Sequence, residues 1–246
     1  MKKFLGTISA VIIVTLLFAG CAGNNGANNQ NGSNAGNQSE PWKDAEGGQI
    51  AVGIATDNSG GTEVEYIHVS GHPDPAVEKE LNEELYVFST WDTVFTMGDD
   101  NGDVDNIKLN FAVVGNLLSV RCSGTRNTED SAYPTNFLRT QIFDLTTGKQ
   151  AGSLSEFIKV GEELRNLIKS GAFTILYPPE RDDGNERLAA EIADTYAFYL
   201  TETSLGLFID VLHAEGDYWV FEATYEAIRP VVQTKLALEL LHIYEN

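Results

Sequence analysis

Cysteine is scarce in this chain: Cys21 and Cys122 are the only two, which excludes a disulfide framework. Cationic side chains are scarce as well. Sixteen Lys and Arg stand against 36 Asp and Glu, a formal net charge of −20. A field of that sign repels nucleic acid and anionic lipid headgroups and attracts cationic proteins, so nucleic acid is excluded as a partner. Only four histidines are present. His68 and His72 stand four apart, but Gly71 and Pro73 break any helix that would bring them to one face, and neither lies in an HExxH context. GxSxG, P-loop and dinucleotide-binding patterns are all missing, so the sequence assigns no cofactor and no catalytic residue. Long apolar runs are missing too, apart from residues 4–18, and that run falls short of the roughly 20 residues a membrane-spanning helix needs.

The same run has a second reading. Lys2 and Lys3 precede it, and Phe18-Ala19-Gly20-Cys21 closes it, which is the layout of a secretory signal. The last four residues resemble a bacterial lipobox, with Phe18 where Leu is commoner. That resemblance implies cleavage before Cys21, diacylglycerol on its sulfur and acylation of the new amino terminus. Acyl chains contribute about 0.8 kcal/mol per buried methylene, so several of them hold a protein stably on a membrane. The expected location is therefore the extracytoplasmic face of the cell membrane. Removal of residues 1–20 takes away two Lys and no acid, moving the formal charge from −20 to −22. Residues 22–40 are Asn, Gly and other small or polar types, too poor in apolar surface to offset their ordering entropy. Together with Cys21 they are expected to form a disordered tether with a span of roughly 25 Å.

Residues 41–246 carry aromatic and aliphatic side chains throughout and read as the folded part. Segments 49–56 and 62–69 read as a hairpin. Asp74 and Pro75 suit the start of a helix, and Val77, Leu81, Leu85, Phe88, Trp91 and Phe95 carry its apolar stripe to residue 95. Strands are expected at 107–114 and 117–124 around the two-residue turn Gly115-Asn116, and at 137–145. Cys122 reads as a small hydrophobe on the second of these. Ser153 and Glu156 have capping-box spacing for one helix ending near Gly171. Segment 172–178 reads as a short strand or loop, 186–200 as a helix by propensity, 204–212 and 218–224 as a closing pair of strands, and 233–246 as a helix. Trp219 and Phe221 share one strand face and read as core. Separate hairpins and helices argue for an α+β fold, antiparallel sheet hairpins with helices packed on the sheet.

The loop GDDNGDVDN places Asp99, Asn101, Asp103 and Asp105 on alternate positions, where hard oxygens can wrap calcium. An EF-hand loop would need Gly at 104 and Glu at 110, and Val104 and Asn110 stand there, so tight calcium binding is not expected. Asp182-Asp183-Gly184 lacks the flanking residues of a carbohydrate deacetylase motif and reads as a loop. The loop 125–136 projects Tyr133 and Pro134 between two strands, and these two are the candidate partner-binding residues.

Three segments together carry a family resemblance. HVSGHPDPAVEKELNEEL, with Asn82 at the centre of its helix, the stretch from LLSVRCSG to FDLTTGKQAGSLSEFI, and YWVFEATYEAIRPVV resemble the RsiV-like domain of unknown function. That domain is the lysozyme-sensing ectodomain type also found at the amino-terminal side of the peptidoglycan deacetylase PdaC. The family loop often carries Gly-Ala-His where this chain has Ser131-Ala132-Tyr133-Pro134, so no role for that His is carried over. The resemblance implies a non-enzymatic binding or sensing module, with a cationic protein such as lysozyme or cell-wall fragments as ligand. The alternative is a cell-wall-active hydrolase whose site has no recognised motif.

Overall fold

In the computed structural model the described residues are 42–43, 49–58, 63–91, 103–127, 133–178, 183–194 and 196–244. All belong to the unit Gly36–Asn246. The expected α+β class is observed: three antiparallel sheets with helices packed on them.

The first sheet has the order β1 (Trp42–Lys43), β2 (Gln49–Asp57) and β3 (Val64–Ser70). Alternation of side chains sends Ile50, Val52, Ile67 and Val69 to one buried face. Helix α1 (Pro75–Thr90) follows. The Asp74 carboxylate accepts from the Ala76 amide at 2.8 Å, and Pro75 occupies the first turn, where its missing N–H costs nothing. Leu81, Leu85 and Phe88 turn inward onto β3. The polar flank of α1 closes the outer edge of β3: the Ile67 amide donates to Ser89 Oγ at 3.1 Å, and the Asn82 amide both accepts from Val69 N and donates to Val69 O at 2.8 Å. Replacing Asn82 by Ala leaves two backbone groups without those partners. An unsatisfied buried group costs about 1–3 kcal/mol, so a loss of about 2 kcal/mol or more in urea unfolding is expected. A loss below about 0.5 kcal/mol would mean that water replaces both bonds.

The second sheet has the order β4 (Asp103–Val114), β5 (Leu117–Asn127) and β6 (Thr135–Asp144). Gly115 has φ +58°, which suits the two-residue turn that pairs Val114 with Leu117. Leu118, Val120 and the buried Cys122 face the first sheet and α1, in one cluster with Phe143 and Leu145. His72 ties the two parts together: its Nε2 donates to Leu145 O at 2.8 Å, and its Nδ1 accepts from the Asp74 amide at 2.9 Å.

The third sheet has the order β7-β10-β9-β8, from β7 (Thr174–Tyr177), β8 (Ala197–Leu200), β9 (Ser204–Asp210) and β10 (Tyr218–Thr224). One of its faces carries Leu205, Leu207, Ile209, Trp219 and Phe221 into the largest core. That core is shared with α2 (Leu154–Phe157), α3 (Glu162–Lys169), α4 (Gly184–Glu191), α5 (Tyr225–Ile228) and α6 (Thr234–Tyr244).

Several boundaries depart from sequence expectation. Helix α1 ends at Thr90, and Phe95 lies outside the described residues. Strand β4 already begins at Asp103, inside the stretch expected to be an acidic loop, and residues 98–102 lie outside the described residues. The capped helix is split into α2 and α3, since Ile158 leaves the helical path to bridge Val232. Segment 172–178 does contain a strand, β7. The expected helix 186–200 stops at Glu191, and its last four residues, Ala197–Leu200, form β8. Local propensity there yields to pairing with β9, which buries Phe198, Tyr199 and Leu200.

Candidate functional site

The start of β6 meets the turn between β9 and β10 at one exposed corner. This turn is a short 3-10 segment, His213–Glu215, followed by Gly216 and Asp217, both with positive φ (+109° and +73°). Asp is among the few non-glycine types that tolerate that region. The bend pulls the Asp217 carboxylate inward, where its side chain is only 7 % exposed. There Oδ2 accepts from Asn136 N at 2.7 Å and from Asn136 Nδ2 at 3.0 Å, while Oδ1 meets His213 Nδ1 at 2.6 Å. The carboxylate thereby fixes the imidazole, which remains half exposed. The Tyr133 ring stacks over it, with centroids 6.4 Å apart and planes 29° apart. Tyr133 is 70 % exposed, and Leu212, beside His213 in the chain, is 73 % exposed. Pro134 is exposed as well. Two large outward side chains thus sit on a frame whose polar atoms are held, an arrangement suited to gripping a protein surface.

The turn is supported from beneath. Trp219 is fully buried, and its indole N–H donates to Glu215 O at 3.1 Å. The Arg187 guanidinium lies 4.7 Å from the Trp219 ring and pairs with Glu215 at 2.7 Å and Glu191 at 3.1 Å. The Glu215 hydrogen bond is the main cause that holds Arg187 above the usual guanidinium range.

A second polar cluster crosses the third sheet. Tyr199, Gly206 and Glu222 stand in one row on β8, β9 and β10. The Tyr199 ring lies across Gly206, and its hydroxyl donates to Glu222 Oε1 at 2.6 Å. Ser204 Oγ donates to Glu222 Oε2 at 3.1 Å and shares a 2.6 Å bond with Thr201 Oγ1. Arg121 of β5 covers the tyrosine ring at 4.1 Å. Burial, then the Glu222 carboxylate, push the Tyr199 hydroxyl well above its ordinary pKa. Serine beside a carboxylate suggests nucleophilic chemistry, but among the described residues no imidazole bonds to Ser204. The carboxylate acts here as an acceptor that joins three strands.

Of the residues singled out from sequence, Tyr133 and Pro134 lie at this corner. His213, Asp217 and Asn136 were missed, because 81 positions separate Asn136 from Asp217. The visible signal was Gly216-Asp217, a pair suited to positive φ. Asp103 and Asp105 lie in β4, where Asp105 Oδ2 accepts from Asn127 Nδ2 at 2.9 Å. Asp99, Asn101 and Cys21 lie outside the described residues, as does the segment 22–40. Among the described residues no group of three or more His, Cys, Asp or Glu side chains is placed to hold a metal, and no helix is long and apolar enough to cross a membrane.

No known family model matches the chain. No curated protein matches it either. Among solved structures, a DUF3298 family protein from Pseudomonas aeruginosa PAO1 is similar over 76 % of this chain and 95 % of its own, at 14 % identity and a TM-score of 0.37.

Proposed function

We propose that this chain is a membrane-anchored extracytoplasmic lipoprotein whose folded part is a non-enzymatic binding or sensing module of the RsiV-like kind. Its partner is a cationic protein such as a lysozyme, with cell-wall fragments as the other ligand class. The observation that supports this reading is the corner at Tyr133, where outward aromatic and aliphatic side chains stand on a frame locked by Asp217 in a strongly acidic protein. Charge governs the encounter: complementary fields raise association rates by about 10 to 1000-fold, and salt screens them beyond about 8 Å at physiological strength. A few central anchors then govern the hold.

The test is lysozyme binding kinetics with the full-length protein across salt concentrations. Rising salt is expected to slow association, and Tyr133→Ala to speed dissociation by about tenfold, equivalent to about 1.4 kcal/mol. Absence of binding at low salt would remove the lysozyme reading. Unchanged dissociation in Tyr133→Ala would remove this corner while leaving the module.

Anchoring is tested separately. Cys21→Ala is expected to abolish fatty-acid labelling and leave an uncleaved precursor. Labelling that persists in the variant would refute the anchor.

A further inference from the structure

The outer face of the first sheet carries an unusual set of side chains. An antiparallel sheet with one solvated face normally turns charged and polar residues outward. Here β2 presents Ala51, Gly53 and Ala55, and a Cβ on Gly53 would meet nothing within 4 Å. Opposite Gly53 and Ala55 stand His68 and Tyr66. Helix α1 rises beside them and adds Tyr86 and Val87, the latter 40 % exposed. Beside this face, Tyr66 and His68 of β3 and the facing side of α1 line an open groove of about 550 Å³. Tyr66 meets Tyr86 edge to face at 5.1 Å and His68 at 6.2 Å.

The polar groups of this groove are arranged for an uncharged ligand. Lys79 and Glu83 on its rim pair at 3.0 Å and offset each other. The Asn82 amide is committed to β3. Tyr86 donates to Asp57 at 2.9 Å. Neither the Tyr66 hydroxyl nor the His68 ring takes a hydrogen bond among the described residues, so their polar atoms remain for a ligand. The acidic protein disfavours anions.

We propose that the groove between β3 and α1 binds a neutral oligosaccharide, with sugar C–H faces against the tyrosine rings and sugar hydroxyls bonded to Tyr66 and His68. The face of an aromatic ring is negative and attracts polarised C–H groups, and a concave, mostly apolar lining with few directed polar groups is the usual form of a small-molecule site. This extends the binding-module reading to a second surface and does not depend on Tyr133.

The test is calorimetric titration of the full-length protein with chitotetraose, an N-acetylated amino-sugar chain, and with cellotetraose, a plain glucan. Saturable binding of either one is expected, and which of them binds identifies the source. Tyr66→Ala and Val87→Lys should each weaken it by at least about tenfold. Val87 is on the exposed side of α1, so its replacement keeps the test valid where Tyr66→Ala disturbs folding. Tyr133→Ala should leave saccharide affinity unchanged, which separates failure here from failure of the Tyr133 corner. Absence of binding by both oligosaccharides, or affinity that survives both groove substitutions, would overturn the proposal.

Discussion

Gly206→Ala is expected to be among the most damaging single substitutions in the folded part. A Cβ at this position would lie 2.0 Å from the Tyr199 ring. The ring has little room to retreat, because Arg121 lies over it and its hydroxyl is held by Glu222. Either the ring is driven out, and the Glu222 bond is lost with it, or β8 separates from β9. Overpacking a core costs about 1–3 kcal/mol, and loss of a hydrogen bond to a charged group adds about 1.5–3 kcal/mol. A loss of about 4 kcal/mol is a large share of the roughly 5–15 kcal/mol that stabilises a typical protein. Thermal unfolding should register it as a drop of about 10 °C or more. A compensating Tyr199→Ala in the same chain should return part of that loss, since the collision is specific to the ring. A Gly206→Ala variant melting within about 2 °C of the parent would show that the ring can move aside.

Trp219→Ala should rank beside it, at about 3–5 kcal/mol, because a fully buried indole leaves a cavity that rigid strands cannot close. This substitution also reaches the exposed corner. The Glu215 carbonyl loses its donor and Arg187 loses the ring beneath it, so the turn that carries His213 and Asp217 loses support. The milder Trp219→Phe refills most of the cavity and still removes the indole N–H. If the corner grips a partner, Trp219→Phe should speed dissociation more than its modest stability loss would suggest. A stability loss in Trp219→Phe far smaller than in Trp219→Ala, with no change in hydrogen exchange of the turn and no change in dissociation, would show that the indole serves packing alone.

Much of the strand pattern was legible because alternation and turn chemistry are local. Ile50 and Val52, Ile67 and Val69, and the Gly115-Asn116 turn follow from period-two patterning and from one residue that favours positive φ. Asp74 and Pro75 marked the start of α1 for the same reason. The segment 186–200 misled because Glu, Arg, Leu and Ala favour helix while the partner of its last four residues, β9, is decided by tertiary pairing. Nothing near Tyr199 announces that its ring requires a glycine on the next strand. The corner was half legible: Tyr133 and Pro134 stand out in a polar loop, but the carboxylate that organises them arrives from a distant turn. The groove went unread because its residues come from alternate positions of a strand and one side of a helix, and only the fold brings them together.

The contacts from α1 to β3 have a consequence for how copies of this protein behave near one another. An exposed strand edge offers a row of donors and acceptors to any passing extended chain, and it is the usual starting point for runaway sheet growth. On β3 the Ile67 amide and both backbone groups of Val69 are already engaged by Ser89 and Asn82. A helix laid along a strand edge thus acts as a dummy neighbouring strand, one that cannot itself be extended. Crowding such molecules together should not pair them through β3, whereas stripping Asn82 of its amide would give β3 a surface on which another chain could template.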